Sequence, residues 1–241
     1  MAELVFLHGA ADSGVVWEHQ TQYFGPHHDV LALDLPGHGA RLNETALHTV
    51  ADIAVEAVRA ARACGMTQPV LVGHSMGGAT ALQIALTEPD FPKALVLAGS
   101  GVRLKMRDEL VAEAGRVAET SPPGQLVKRI VKLEEAISPA APSEIQEWLA
   151  QRFGQATGQG VYGDFRATST FDLMDRVAEI RLPTLIIAGK DDRWTPPKFQ
   201  HFMAERIPGS RLVMLQDTGH YPFVERADRF NEELDRFLTE L

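Results

Sequence analysis

The stretch from Pro69 to Leu86 constrains the chain more than any other. A short apolar run, Val70-Leu71-Val72, leads into Gly73-His74-Ser75-Met76-Gly77, and helix-forming composition follows from Gly78 to Leu86. Strand, sharp turn and helix are predicted in succession, with a serine at the apex. A turn this tight presses the residues two before and two after the serine against neighbouring backbone, where a Cβ would clash. The apex residue is expected in a strained conformation that lifts its hydroxyl clear of the sheet edge. The helix after it aims free N–H groups and the positive end of its dipole at any anion forming there. By composition alone G-x-S-x-G arises in roughly one chain in ten of this length. Its place between strand and helix is what carries weight.

The rest of the chain repeats that rhythm. Leu4 to Leu7 reads as a buried strand running into the small-residue loop His8 to Gly14, with a helix around Val16 to Phe24. Val30 to Leu33 is a second strand, ending in Asp34-Leu35-Pro36-Gly37-His38-Gly39. Thr49 is a plausible N-cap for a helix to about Cys64, stopped by Gly65. Ala94 to Leu97 is a fourth strand. Continuous apolar strands alternating with helices predict a parallel sheet covered on both faces.

From Arg103 to Asp175 the rhythm breaks. Only helical pieces are predicted there: Asp108 to Glu119, Gln125 to Ala136, and Glu144 to Phe153, the last with a capping box of Ser143 and Gln146. Prolines and the stretch Gly154 to Gly163 separate them. Leu110, Val117, Leu126, Ile130, Ile145 and Trp148 have the helical spacing of packing residues. Alternation resumes with strand Thr184 to Ala188, a helix near Pro197 to Arg206, strand Arg211 to Leu215, and a closing amphipathic helix from about Ala227 to Leu238. The expected organisation is an α/β core over 1–102 and 176–241, with residues 103–175 a helical lid over the strand ends, where open α/β sheets bind ligands.

Charge and cysteine content narrow the function classes. A net charge of −9 over 241 residues argues against nucleic acid or an anionic membrane as the main partner. Cys64 is the sole cysteine, so an intrachain disulfide or C-x-x-C site is excluded. The opening residues lack a basic region and a long apolar run, and the expectation is a cytoplasmic protein.

A serine hydroxyl needs a base within hydrogen-bond reach to act as a nucleophile. Among nine histidines, His220 stands in a loop just after the last apolar strand, at the sheet edge that holds Ser75. His19, His27, His28 and His201 have no such placement and are expected at the surface, and His48 precedes a helix. His8, His38 and His74 sit at strand ends, where packing and loop hydrogen bonds are their expected work. The base in turn needs a carboxylate to hold its tautomer. Asp191 and Asp192 follow the strand Thr184 to Ala188 at that same edge; Asp34 and Asp217 are rivals, and a helix cap or turn is the structural alternative for the pair.

With these residues in place the chain resembles the α/β-hydrolase superfamily over essentially its whole length. The resemblance is carried by the His8-Gly9 loop, the Asp34 to Gly39 loop, Ser75 in its turn, Gly189-x-x-Asp192, and Gly219-His220, in the order Ser, Asp, His. It implies Ser75 as nucleophile, His220 as base and Asp192 as the acid, with Asp191 shaping the loop. It also implies an oxyanion hole from the backbone N–H groups of Ala10 and Met76. The family's usual two strands before the His-Gly strand are missing here, so a sheet of about six mostly parallel strands is expected, with the helical cap inserted after the fourth. A serine at the apex, where dehalogenases and epoxide hydrolases of this fold place aspartate, leaves esterase, lactonase, C–C hydrolase, thioesterase and perhydrolase chemistry. The expected activity is hydrolysis of small to medium, fairly apolar carboxylic esters, without metal or organic cofactor, by a monomer or homodimer. A C–C hydrolase or enol-lactonase on the same residues, and a small-molecule binding module with vestigial turnover, are the alternatives. Trp194, Tyr221 and Phe223, with Met76, flank the site, and pocket lining and core packing are both open for them.

Overall fold

Six short strands carry the molecule: β1 (Glu3–Leu7), β2 (Asp29–Leu33), β3 (Val70–His74), β4 (Ala94–Ala98), β5 (Thr184–Gly189) and β6 (Arg211–Leu215). All pair in parallel, in the order β2-β1-β3-β4-β5-β6. The sheet therefore has the expected six strands. Helices of the core are α1 (Glu18–Phe24), α2 (Val50–Ala63) and α3 (Met76–Thr87). Between β4 and β5 lie α4 (Asp108–Val117), α5 (Gln125–Ile130), α6 (Leu133–Ala136), α7 (Ser143–Phe153) and α8 (Gly158–Ser169). After β5 come α9 (Pro197–Arg206), the single turn α10 (Pro222–Glu225) and α11 (Ala227–Thr239). The computed structural model describes residues 1–153 and 155–241, without the side chains of Arg129 and Ile130 in α5. The expectations for Gly154 and for Ile130 packing lie outside the described residues.

Period-two alternation places one set of strand residues on each face. Val5, Leu7, Leu71, Leu95, Leu97 and Ile186 pack with α2, α3 and Met203 of α9. Leu4, Phe6, Val70, Val72, Val96, Leu185 and Ile187 pack with Trp17, Phe24, Phe230 and Leu234. Both faces are covered, which is why the strands read as unbroken apolar runs.

Several boundaries differ from expectation for physical reasons. α3 starts at Met76, two residues early, because the strained Ser75 ends the strand and turns the chain at once. The region Gln125 to Ala136 is two helices, broken at the extended Val131 and Lys132. Ser143 lies within α7, and its hydroxyl turns to the Glu144 carboxylate rather than capping. The largest difference is α8, a 12-residue helix where Gly158, Gly160 and Gly163 suggested a loop.

The two ends of the insertion are pinched together. Arg103 and Asp172 form an antiparallel bridge, Leu173 N–H donates to Val102 O (2.8 Å) and Leu104 N–H to Phe171 O (3.3 Å). Val102, Leu104, Phe171 and Leu173 are buried in the α2/α3-side core, while Leu126, Leu149, Phe153 and Phe165 join the other core. No described helix is long and apolar enough to cross a membrane.

Candidate active site

Ser75 has φ 49° and ψ −113°, left-handed backbone that a side-chain-bearing residue rarely adopts. The strain is fixed by what surrounds it. Ser75 N–H donates to Ala98 O at the end of β4 (3.1 Å), and the Ser100 hydroxyl donates to Ser75 O (2.7 Å). A Cβ on Gly77 would collide with the Leu7 carbonyl, so the turn packs directly on the end of β1. Across from it, a Cβ on Gly9 would stand 2.7 Å from His74 Nδ1 and 3.3 Å from Ser75 Cβ. The loop after β1 is thus held against the serine. Met76 opens α3, where first-turn N–H groups have no acceptor within the helix. Ala10, half-buried, is followed by Ala11 in the left-handed region at φ 61°.

His220 and Asp192 meet at the neighbouring strand ends. His220 Nδ1 donates to Asp192 Oδ2 at 2.9 Å, and the two residues are 1% and 3% exposed. Asp192 is saturated: Oδ1 accepts from Trp194 N–H (2.9 Å) and Thr195 N–H (2.8 Å), and Oδ2 also faces the Thr195 hydroxyl at 2.6 Å. The carboxylate therefore serves both the turn and the imidazole. With Nδ1 occupied, Nε2 is the nitrogen left for proton transfer. Among the described residues no hydrogen bond joins the Ser75 hydroxyl to His220. The β4 end ties the three together. Its Ala98 O holds Ser75 N–H, and a Cβ on the next residue, Gly99, would meet His220 O and lie 3.5 Å from Asp192 Oδ2.

The rival carboxylates are occupied elsewhere. Asp191 Oδ2 accepts from the Ser138 hydroxyl (2.7 Å). Asp34 clamps its own loop through Gly14 N–H (2.7 Å) and Ala40 N–H (2.8 Å). Asp217 is exposed at a left-handed turn, φ 49°. The other strand-end histidines hold loops, as expected. His8 accepts from Leu35 N–H at Nε2 (3.2 Å) while Nδ1 donates to Gly9 O (2.8 Å). Burial and the charge of His38 push His8 down to about 4, so it stays neutral. His74 Nε2 donates to His220 O (3.0 Å), and burial, then His220, hold it well below the ordinary imidazole range.

Trp194 is half-buried, its ring 5.2 Å from that of His220. Tyr221 is buried edge-on to His220 at 5.4 Å and faces Phe153 of α7 at 6.1 Å. Phe223 stacks on Trp17 at 3.8 Å, a core position. Among the described residues no group of three or more His, Cys, Asp or Glu is arranged to hold a metal.

Other residues at the site had little or no local signal. Asp164 of α8 accepts from Ala11 N–H (2.7 Å) and faces His38 Nε2 (2.9 Å), both buried. Burial alone would lower His38, but Asp164 beside it raises the imidazole above its ordinary range. Asp12, 5% exposed, accepts only from Ser13 N–H, and its Oδ2 has no partner among the described residues. Burial pushes its carboxyl up to about 7. The turn at Asp192 was findable, since an Asp accepting from the backbone N–H two residues on, here Trp194, is the Asx-turn pattern, but nothing local marks Thr195. Gln200 supports it by donating to Thr195 O (2.9 Å) and Ser100 O (2.7 Å).

The family model described as "Alpha/beta hydrolase family" matches residues 4–233. The chain belongs to the alpha/beta hydrolase family. Within this family, the pimeloyl-[acyl-carrier protein] methyl ester esterase of Xanthomonas campestris pv. campestris (strain B100) is 30% identical, covering 99% of this chain and 95% of the relative. A thermophilic esterase from Thermogutta terrifontis superposes with a TM-score of 0.89 at 24% identity, over 100% of this chain and 90% of the other, a likeness of fold. Est816, described as an N-acyl homoserine lactone degrading enzyme, has a TM-score of 0.81 and 27% identity, over 98% and 93% of the two chains.

Proposed function

We propose that this α/β hydrolase is a serine carboxylester hydrolase, with Ser75 as nucleophile, His220 as general base and Asp192 as the acid that orients it. The observation that carries the reading is the strained Ser75 at the start of α3 beside a buried His220–Asp192 pair. Ser75 Oγ adds to the ester carbonyl carbon as His220 Nε2 takes the hydroxyl proton. The oxyanion meets the N–H groups of Ala10 and Met76, each donor of this kind lowering the barrier by about 3–4 kcal/mol. The C–O bond to the alcohol breaks as His220 returns the proton to the leaving oxygen. A water deprotonated by His220 then cleaves the acyl-serine bond, releasing the acid and restoring the Ser75 hydroxyl. No step calls for a metal or organic cofactor.

Residues 103–175 act as a cap over these groups, supported by Asp164 and Phe153, which reach the Ala11 loop and the Tyr221 ring from the insertion. Trp194 and Tyr221 border the substrate space, and the substrates are esters of small to medium, fairly apolar acids. The carboxylic ester cleaved by the Xanthomonas relative supports this bond type. A cyclic ester is the second reading, favoured by the likeness to Est816. A cytoplasmic location fits the lone, exposed Cys64.

Hydrolysis of p-nitrophenyl esters from C2 to C12 tests the proposal. Wild type should turn over above about 1 s⁻¹ on its best ester, and Ser75→Ala should lose at least roughly 10³-fold. Negligible turnover on every ester, or retention in the variant, would refute it.

A further inference from the structure

We propose that Glu225 is a positioning residue for His220, acting with the backbone of residues 136–138 of the insertion to hold the imidazole on Asp192. This rests on the reading of His220 as the base. Three consecutive N–H groups carry the argument. Gly219 N–H donates to Glu225 Oε2 (2.9 Å), His220 N–H to Ala136 O (2.6 Å), and Tyr221 N–H to Glu225 Oε1 (3.1 Å). The residue bearing the imidazole is therefore held on its own N–H by the insertion and on both flanking N–H groups by one carboxylate. Its carbonyl is held as well, by His74 Nε2.

The same carboxylate reaches into the insertion. Glu225 Oε2 also accepts from Ser138 N–H (2.9 Å), and the Ser138 hydroxyl donates to Asp191, the neighbour of Asp192. One three-residue strap thus touches the loop of the base and the loop of the acid. The fit is close, since a Cβ on Gly219 would lie 2.5 Å from Ala136 O. Local sequence explains how Glu225 arrives there. Pro222 opens the single turn α10, and that turn carries Glu225 back beneath the loop it has just left. At 4% exposure the carboxyl is expensive to bury: desolvation pushes it up, while the three backbone N–H groups and His220 oppose.

A glutamine at 225 keeps size and shape but has one acceptor oxygen and an NH2 that faces backbone donors. It must lose at least one of the three hydrogen bonds and set donor against donor. Small displacements of a reacting group cost on the order of 10²-fold in rate, and the expected effect falls on kcat rather than on substrate affinity.

The test compares full-length wild type, Glu225→Gln and Glu225→Asp on p-nitrophenyl butyrate, with the low-field proton NMR resonance of His220 Nδ1–H and thermal melting read in parallel. We expect folded Glu225→Gln to lose roughly 10- to 100-fold in kcat, with KM within about threefold, and the low-field resonance to shift or vanish. Glu225→Asp, which keeps both carboxyl oxygens but is one methylene short, should fall between. It also serves as the readout should the glutamine variant not fold. A folded variant with wild-type kcat and an unmoved resonance would overturn the proposal, leaving Glu225 a purely structural group. Were wild type inactive on every ester, the base reading would fail instead, while the resonance would still report whether Glu225 holds the His220–Asp192 bond.

Discussion

The Asp12 carboxyl is buried, one of its oxygens has no partner among the described residues, and burial pushes it up to about 7, with Asp164 adding to the rise while Ser13 N–H, His38 and Arg152 oppose it. Tyr221 also feels it, as the charge of Asp12 adds to burial in raising the phenol. Between about pH 4 and pH 7 the folded chain keeps a proton that the unfolded chain has released. Stability must then fall as pH rises through that window, by up to about 1.4 kcal/mol per pH unit for a single group. Asparagine copies the shape of the neutral carboxyl without the ionisation. Asp12→Asn should therefore melt higher than wild type at pH 8, with the gap closing toward pH 5. An equal gap at both pH values would contradict the assignment.

Among the elements, α8 shows where local sequence and structure part. Three glycines within six residues cost a helix about 1 kcal/mol each relative to alanine, so a loop is the natural reading of Gly158 to Gly163. Packing reverses it. A Cβ at Gly160 would meet Gly37 O at 2.8 Å, and one at Gly163 would meet Leu47 O at 2.8 Å. Gly160 and Gly163 are the contact surface by which α8 lies on the loops after β2, while Gly158 packs on Ala118 at the end of α4. That approach delivers Asp164 to His38, 126 residues away, and to Ala11 N–H beside the candidate oxyanion donor. Asp164→Ala leaves the buried His38 ring and the Ala11 N–H without their acceptor. With each unsatisfied buried group costing about 1–3 kcal/mol, the expected loss in denaturant unfolding is about 2–5 kcal/mol, with a fall in kcat of the folded enzyme as the Ala10 loop loosens. A loss below about 1 kcal/mol would show that the pair holds little.

At the scale of the whole molecule, the candidate site lies along one edge of one sheet. Ser75, Asp192 and His220 each follow a strand, and parallel order brings β3, β5 and β6 to the same side. This much was legible, because a strand that ends in a turn announces both the edge and the residue placed there. The six apolar strands were legible for the same reason, each being a local run bounded by turn residues. What stayed hidden was long-range: the Asp164–His38 pair, and the strap at 136–138 that reaches Glu225, depend on how an insertion folds back over loops far away in sequence. The choice between Asp191 and Asp192 was of this kind too, since one points to Ser138 and the other to His220. We propose that Ser75 is activated by the His220–Asp192 pair. The most direct test is treatment of wild type and His220→Ala with a fluorophosphonate probe, followed by intact-mass and peptide mass spectrometry. The predicted result is one adduct per chain, on Ser75, formed on the order of 10³-fold more slowly without His220. An adduct on another residue, no adduct at all, or labelling of Ser75 at an undiminished rate in His220→Ala would contradict it.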